Sequence, residues 1–323
     1  MELCAKIYVA GHRGLVGSAL VRALSQQGYQ RLITRTHAEL DLTDADAVKA
    51  FFAAVKPDYV LLAAAKVGGI LANNTYPVDF LAENLKIQTN VIEASYQHQV
   101  KRLLFLGSSC IYPRACPQPI KEQSLLTGPL EATNRPYALA KIAGIELCWA
   151  YNRQYGTQYL AAMPTNLYGP NDNYHLANSH VIPALIRKMH EAKLAKQQQV
   201  TLWGSGTPRR EFMYSDDLAQ ACLFLLNLPQ AQFQALIETT TAPLINIGVG
   251  SDLTIKELAL KVKATVGYQG TLDFDSTKPD GTPQKLLDIE RLSQAGWRST
   301  TTLDEGLNAA YQDFMHYQQE PVC

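Results

Sequence analysis

The chain has 323 residues, 47% hydrophobic and 18% charged, which excludes a disordered or fibrous protein and leaves a globular one of one or two domains. Its 29 Lys and Arg offset 29 Asp and Glu, so no global charge draws it to nucleic acid or an anionic membrane. Six scattered cysteines, none in a Cys-x-x-Cys pair, match neither a disulfide framework nor the ligand spacing of a metal site.

The first half alternates apolar runs with helical patterns. Residues 6–10 read as a buried strand, 15–27 as a helix and 31–34 as a short strand. Residues 45–55 have helical periodicity, 59–65 form an apolar strand and 77–97 a long helix. Then come a strand at 102–107, a helix at 138–155 and a strand at 159–164. Continuous apolar strands separated by helices predict an α/β, doubly wound parallel sheet of the Rossmann type. After Tyr168-Gly169-Pro170 the rhythm breaks into Gly, Asn, Pro and His, then a basic helix and a short strand at 200–203. Helical patterns at 216–226 and 254–266 flank a strand at 244–247 that is placed to rejoin the parallel sheet. A second, smaller mixed α/β substrate domain is therefore expected, its chain interleaved with the first. The expected division is 1–170 with about 212–250 for the dinucleotide domain, and 171–211 with about 251–323 for the other.

The turn after the first strand reads Gly11, His12, Arg13, Gly14, Leu15, Val16, Gly17. Glycines there close the turn tightly and let backbone N–H groups approach a pyrophosphate at a helix N-terminus. Gly11, Gly14 and Gly17 stand three apart, a Gly-x-x-Gly-x-x-Gly spacing that matches the extended short-chain dehydrogenase/reductases. Where proteins preferring NAD usually place an acid, this chain has Arg35, Thr36 and His37, and Arg13 stands inside the turn. Paired cations suit a 2′-phosphate, so NADP(H) is the expected cofactor. Asp41 and Leu42 are placed to border its adenine.

Tyr137 and Lys141 form a Tyr-x-x-x-Lys pair, which a helix brings to one face. With 16 tyrosines in the chain, that spacing arises by chance about once, so position rather than pattern carries the reading. The pair opens the helix before the strand at 159–164, and Gly107-Ser108-Ser109 ends the strand at 102–107. Ligands bind at the carboxyl ends of such strands, so Ser108 and Tyr137 are expected to converge. Lys141 is expected to lower the phenol's pKa and to hold the nicotinamide ribose.

Longer strings resemble the GDP-L-fucose synthase family. They are Ala64-Ala65-Lys66-Val67-Gly68-Gly69-Ile70 with Ala72-Asn73-Asn74, Gly107-Ser108-Ser109-Cys110-Ile111-Tyr112-Pro113, and Pro164-Thr165-Asn166-Leu167-Tyr168-Gly169-Pro170. Asn178-Ser179-His180-Val181-Ile182-Pro183, Trp203-Gly204-Ser205-Gly206-Thr207-Pro208 and Lys278-Pro279-Asp280-Gly281 extend the likeness to about residue 290. The resemblance implies an NADPH-dependent 3,5-epimerase and 4-reductase that makes GDP-L-fucose from GDP-4-keto-6-deoxy-D-mannose. It implies Cys110 as base and His180 as acid, with Ser108 and Tyr137 holding the oxygen at C4. It further implies cofactor contacts from Leu106, Gly107, Ser108, Ser109, Lys141, Pro164, Thr165, Asn166, Leu167 and His180. GDP-sugar contacts are implied for Lys188, Trp203, Arg210 and Asp280, with Lys285 a further candidate.

Taken alone, a cysteine at a strand end is more often a small buried hydrophobe than a base. A lysine on a helix, an indole and a loop arginine likewise have ordinary readings as a solvated cation, a core residue and a salt-bridge partner. One departure stands out: bacterial relatives commonly carry a second arginine where this chain has His37. A neutral imidazole binds a 2′-phosphate less strongly, so a relaxed NADPH preference is expected. The enzyme rivals are a nucleotide-sugar dehydratase or 4-epimerase of the same superfamily. Dehydratases place an acid after the serine of this strand end, where Cys110-Ile111 offers none. The rival of another class, an NADP-binding sensor or scaffold, is expected to have lost Ser108, Tyr137 or Lys141. No apolar run approaches the roughly 18 residues of a membrane span, and the first ten residues lack a signal-peptide pattern. A cytoplasmic homodimer without a metal is the expected form.

Overall fold

The computed structural model describes residues 1–175, 179–240, 243–278 and 280–317. Asn178, Pro279 and Cys323, each singled out or counted above, lie outside the described residues. The first half runs β1 (Lys6–Ala10), α1 (Leu15–Gln26), β2 (Arg31–Ile33), α2 (Ala45–Val55), β3 (Tyr59–Leu62), α3 (Ile70–Thr75) and α4 (Pro77–Gln97). It continues through β4 (Arg102–Leu106), α5 (Arg135–Tyr155), β5 (Tyr159–Pro164) and β6 (Asn166–Tyr168). Then follow α6 (Val181–Leu194), β7 (Gln199–Trp203), β8 (Arg209–Arg210), β9 (Phe212–Tyr214), α7 (Ser215–Asn227), α8 (Gln230–Ile237) and β10 (Leu244–Ile247). The chain closes with β11 (Leu253–Thr254), α9 (Ile255–Val266), β12 (Thr271–Asp275), β13 (Gln284–Lys285), α10 (Glu290–Gln294) and α11 (Leu303–Tyr317).

Six strands pair in parallel in the order β10-β5-β4-β3-β1-β2, so β10 does rejoin the sheet. Alternate side chains of a strand face opposite ways, and the two faces carry separate cores. From β1, Ile7 and Val9 enter the core shared with α1 and α7, while Tyr8 and Ala10 enter the core under α2, α4 and α5. Both faces are covered, which is why these strands read as unbroken apolar runs. Because β1 lies between β2 and β3, the chain winds outward in both directions from it. A crevice opens at the carboxyl ends there, beside the turn that follows β1.

Two element boundaries differ from the sequence reading by more than one residue. The strand expected to reach residue 65 ends at Leu62; Ala63 N still donates to Ala10 O at 3.0 Å, after which the chain crosses Gly11. The helix expected from 138 begins at Arg135, because Pro136 stands in its first turn, where a missing N–H costs no hydrogen bond.

The smaller domain is mixed. It contains a three-stranded sheet, β11-β8-β13, and the pair β12-β7, covered by α6, α9 and α11. Its core includes Tyr174, Ile186, Leu258, Leu307 and Phe314. Thr254 caps α9 reciprocally with Glu257, two otherwise orphaned backbone donors being satisfied. After β13 the chain returns to the parallel sheet: Leu287 joins the core on the α5 side and Leu292 the core on the α1 and α7 side. Ile120 N donates to Leu286 O at 2.8 Å, fastening this return to the segment that follows Cys110.

Candidate active site

The turn after β1 is shaped by its glycines. Gly11 has φ +84°, and a Cβ there would stand 2.7 Å from Ala64 N. A Cβ on Gly17 would stand 2.0 Å from the Gly11 carbonyl oxygen, so α1 can approach the turn only without one. Gly14 differs: it caps α1, is exposed, and a Cβ there would meet only Gly11 O at 3.7 Å. Its bareness clears the approach to the helix N-terminus, whose first N–H groups have no partner within the helix. His12 Nδ1 is buried without a hydrogen-bond partner among the described residues, a polar atom that a bound ligand would satisfy. Leu15 and Val16 supply the first turn of α1. These features fit a dinucleotide pyrophosphate.

Next to the turn, Arg13 and Arg35 are both exposed. Arg35 Nη1 donates to Thr34 O at 2.7 Å, and its guanidinium lies 5.5 Å from the Phe51 ring centre. Both arginines act on Glu39, whose carboxyl is held below its usual range first by the Thr36 N–H and hydroxyl. Glu39 gave no sequence signal, yet its charge interacts with both arginines. His37 Nδ1 lies 3.8 Å from Asp41, whose carboxyl is depressed mainly by hydrogen bonds from Thr43. Leu42 is buried in the core, and its carbonyl accepts from Asn90 Nδ2 at 2.9 Å.

The reacting centre forms where β4 ends. Gly107 is close-packed there, a Cβ being 2.1 Å from Met163 Cε, and Leu106 and Ser109 are buried on either side. A single 3₁₀ turn, Ser109–Ile111, follows, and Cys110 N donates to Ser108 Oγ at 3.4 Å. Lys141 is buried, and its ammonium donates to Leu106 O at 2.8 Å while standing 5.7 Å from the Tyr137 ring centre. One helical turn on α5 therefore presents Tyr137 and Lys141 together at the end of β4. On the next strand end, Pro164 closes β5, Thr165 Oγ1 donates to Glu211 O at 3.1 Å and Asn166 Nδ2 to the same oxygen at 2.8 Å. Leu167 follows on β6.

The electrostatics correct one expectation. Burial pushes the Tyr137 phenol well up, with the Cys110 thiolate adding to it, so the Lys141 ammonium does not bring it down. Burial lowers Lys141 itself to about 8. Burial thus keeps the phenol protonated. Burial also raises the Cys110 thiol; Lys285, Ser108 and Lys141, in that order, oppose it. His180, N-cap of α6, is exposed to solvent, yet surrounding protein lowers its pKa by desolvation. No hydrogen bond or charge interaction ties His180 to the other four among the described residues.

A second group lies on the smaller domain. Trp203 is 71% exposed, the reverse of a core indole, with Lys278 Nζ 5.7 Å from its ring centre. Lys188 Nζ donates to the carbonyl of Thr201, on the same strand as Trp203. Asp280 accepts from Ser205 N at 2.9 Å and Ser205 Oγ at 2.6 Å, which, with Arg210 nearby, holds its carboxyl low. Arg210 Nη1 donates to Arg209 O at 2.8 Å.

Two further residues organise this cleft, Lys285, which the resemblance also raised, and Glu211, which nothing in the sequence marked. Lys285, on β13, pairs in register with Arg210 on β8, and it lines one cavity with Cys110, Ser109, Arg114, Gln118 and Glu131. Glu211 is fully buried: Oε1 accepts from Val249 N and Gly250 N at 2.6 and 2.7 Å, and Oε2 from Leu287 N at 3.0 Å. Through its carbonyl it also holds Thr165 and Asn166, so one residue joins the β5 end to β13. A lone glutamate between an arginine and a phenylalanine carries no motif that would have revealed this.

A model of the NAD dependent epimerase/dehydratase family matches residues 7–238. The chain is 56% identical over 315 residues to a putative GDP-L-fucose synthase 2 of Arabidopsis thaliana, covering 98% of this chain and 93% of that one. It is 54% identical over 315 residues to GDP-L-fucose synthase of Escherichia coli, strain K12, covering 97% of each. Among solved structures, a Campylobacter jejuni GDP-D-glycero-L-gluco-heptose synthase in the presence of NADPH is 38% identical. Its TM-score is 0.90, with 98% of this chain and 99% of that one covered.

Proposed function

The chain belongs to the GDP-L-fucose synthase family within the extended short-chain dehydrogenase/reductases, and we propose that one sugar carbonyl organises every step in its cleft. It is an NADPH-dependent enzyme that forms GDP-L-fucose from GDP-4-keto-6-deoxy-D-mannose by epimerisation and reduction. The observation that carries the proposal is the convergence of Ser108, Cys110, Tyr137 and Lys141 at the end of β4.

A ketone at C4 acidifies the hydrogens at C3 and C5, so each inversion needs a base on one face and an acid on the other. Cys110 takes the proton and His180 returns one from the opposite side. Burial disfavours both charged forms, thiolate and imidazolium. Before each can act, Cys110 must therefore give its proton up to solvent and His180 must take one from solvent. Ser108 and Tyr137 donate to O4 while negative charge collects there, an oxyanion task. NADPH, when bound, supplies the hydride for C4. Tyr137, held protonated by burial, then delivers its proton to O4, and Lys141 fixes the ribose from its anchor on Leu106.

The turn from Gly11 to Gly17 would hold the pyrophosphate and Arg13 with Arg35 the 2′-phosphate, His37 and Asp41 lying alongside. Trp203 stacks on the nucleobase, Lys188 and Arg210 face the diphosphate, and Asp280 also contacts the GDP-sugar. We assign 1–170 with about 212–250 to cofactor binding, and 171–211 with about 251–323 to the sugar nucleotide. Among the described residues no helix is long and apolar enough to cross a membrane. A cytoplasmic homodimer is the form we infer, paired through α4 and α5, where Tyr96 and Tyr155 stack at 4.4 Å on an exposed face. Incubation with the keto sugar nucleotide and NADPH, followed by NMR of the product, tests the reading. A 4-reduced sugar with unchanged C3 and C5 would overturn it.

A further inference from the structure

Burial alone would make Cys110 a poor base, because a thiol shut away from water keeps its proton. The fold supplies a compensating charge from far along the chain. Lys285 occupies the last position of β13, opposite Arg210 on β8. Its successor is fixed to the Cys110 segment from both sides: Leu286 N donates to Gln118 Oε1 at 2.8 Å, and Ile120 N to Leu286 O at 2.8 Å. These bonds set the Lys285 side chain in the cavity that also contains Cys110 and Glu131. Glu131 is itself held in place, its Oε2 accepting from Thr133 Oγ1 at 2.6 Å and from Asn134 N at 3.0 Å.

We propose that Lys285 is a positioning residue whose ammonium holds Cys110 as the thiolate, with Glu131 as the anion that keeps Lys285 charged. The thiol proton leaves to solvent, and the charge left on Sγ sits beside the ammonium. This deepens, and rests on, the reading of Cys110 as the base. The charged and titratable groups around the pair are known on every side. Ser108, Lys141 and Tyr137 face Cys110, while Arg210 and Glu131 face Lys285, and Arg114 lines the same cavity. Arg210 and burial disfavour the ammonium, whereas Cys110 and Glu131 favour it. The arrangement is therefore a row of alternating sign, Glu131, Lys285, Cys110, fed by two chain segments more than a hundred residues apart.

The test is the pH profile of Cys110 alkylation by iodoacetamide in the folded, ligand-free enzyme, read site by site by mass spectrometry. Only the thiolate displaces iodide, so the profile reports the Cys110 pKa directly. Lys285→Met should move the midpoint up by about one pH unit or more, slowing alkylation at pH 7 about tenfold. Lys285→Arg should restore most of the wild-type profile, and Glu131→Gln should produce a smaller upward shift. An unchanged midpoint in Lys285→Met, with circular dichroism and thermal melting like wild type, would overturn the proposal. If Lys285→Met misfolds, the Glu131→Gln and Lys285→Arg profiles decide it alone: an unmoved midpoint in Glu131→Gln removes the charge row. Solvent-deuterium exchange catalysed by Cys110→Ser separates the two claims. Persistent exchange would refute Cys110 as base whatever Lys285 does to its thiol.

Discussion

The Lys141 ammonium donates to the carbonyl oxygen of Leu106 at 2.8 Å, tying the Tyr-x-x-x-Lys helix to the tip of the strand that carries Ser108 and Cys110. That bond links α5 to the end of β4 at the place where proton and hydride transfer meet. It also fills a buried cation's need for an acceptor, without which the group would lose its charge.

Replacing Lys141 by Met therefore removes an anchor and a charge together. Reduction, followed as NADPH oxidation, should fall by about 10²–10⁴-fold. Burial places the wild-type ammonium near 8, so it is present below that pH and lost as pH rises through it. The reduction rate of wild type should decline along that alkaline limb. A wild-type rate that stays level well above pH 8 would remove the ammonium from the reduction step.

Cofactor choice rests on the exposed pair Arg13 and Arg35. Arg35→Ala should lower kcat/KM for NADPH by about 10–100-fold, while kcat/KM for NADH stays within about twofold, because only the 2′-phosphate uses the guanidinium. Steady-state kinetics with both cofactors measures this. An unchanged ratio would leave the phosphate clamp without support. Glu39, close to both arginines, should oppose them, so Glu39→Gln should raise the NADPH preference.

Glu211 accepts three N–H groups from two segments, that of Leu287 buried and those of Val249 and Gly250 partly so. Glu211→Leu leaves all three unpaired, which costs about 3–5 kcal/mol of stability. Chemical denaturation should show that loss. A variant as stable as wild type would mean water or a shifted backbone takes over the carboxylate's role.

Asp172 gives a stability test away from the chemistry. Burial lifts its carboxyl to about 7 from 3.8, and its Oδ2 has no hydrogen-bond partner among the described residues. The folded chain holds this proton more tightly than the unfolded one. Stability from this group is thus full below about pH 4 and lost as pH rises toward 7. Asp172→Asn should raise Tm at pH 8 by several degrees and leave it nearly unchanged at pH 4. Equal Tm differences at both pH values would contradict the assignment.

Much of the sheet was legible because its strands are buried on both faces and its helices are periodic. The strand at Tyr159–Pro164 and the helices at Ala45–Val55 and Pro77–Gln97 have the bounds that their patterns predict. The short strands β8, β11 and β13 were not readable, since two residues carry no period and their partners lie far away in sequence. Local motifs marked Gly11, Ser108, Tyr137 and Lys141 because these belong to one strand end or one helical turn. Lys285 was raised by resemblance alone and Glu211 not at all, since both act through tertiary pairing. Helix spacing reveals that Tyr137 is near a lysine but not the burial that raises its phenol.

The most direct test of the carbonyl-centred account is proton NMR of the sugar nucleotide after reaction in D₂O with NADPH, using wild type and Cys110→Ser. Wild type should give GDP-L-fucose carrying deuterium at C3 and C5. The Cys110→Ser enzyme should still oxidise NADPH slowly, yielding a 4-reduced sugar with protium at both carbons. Deuterium entering at the wild-type rate in Cys110→Ser would contradict the account.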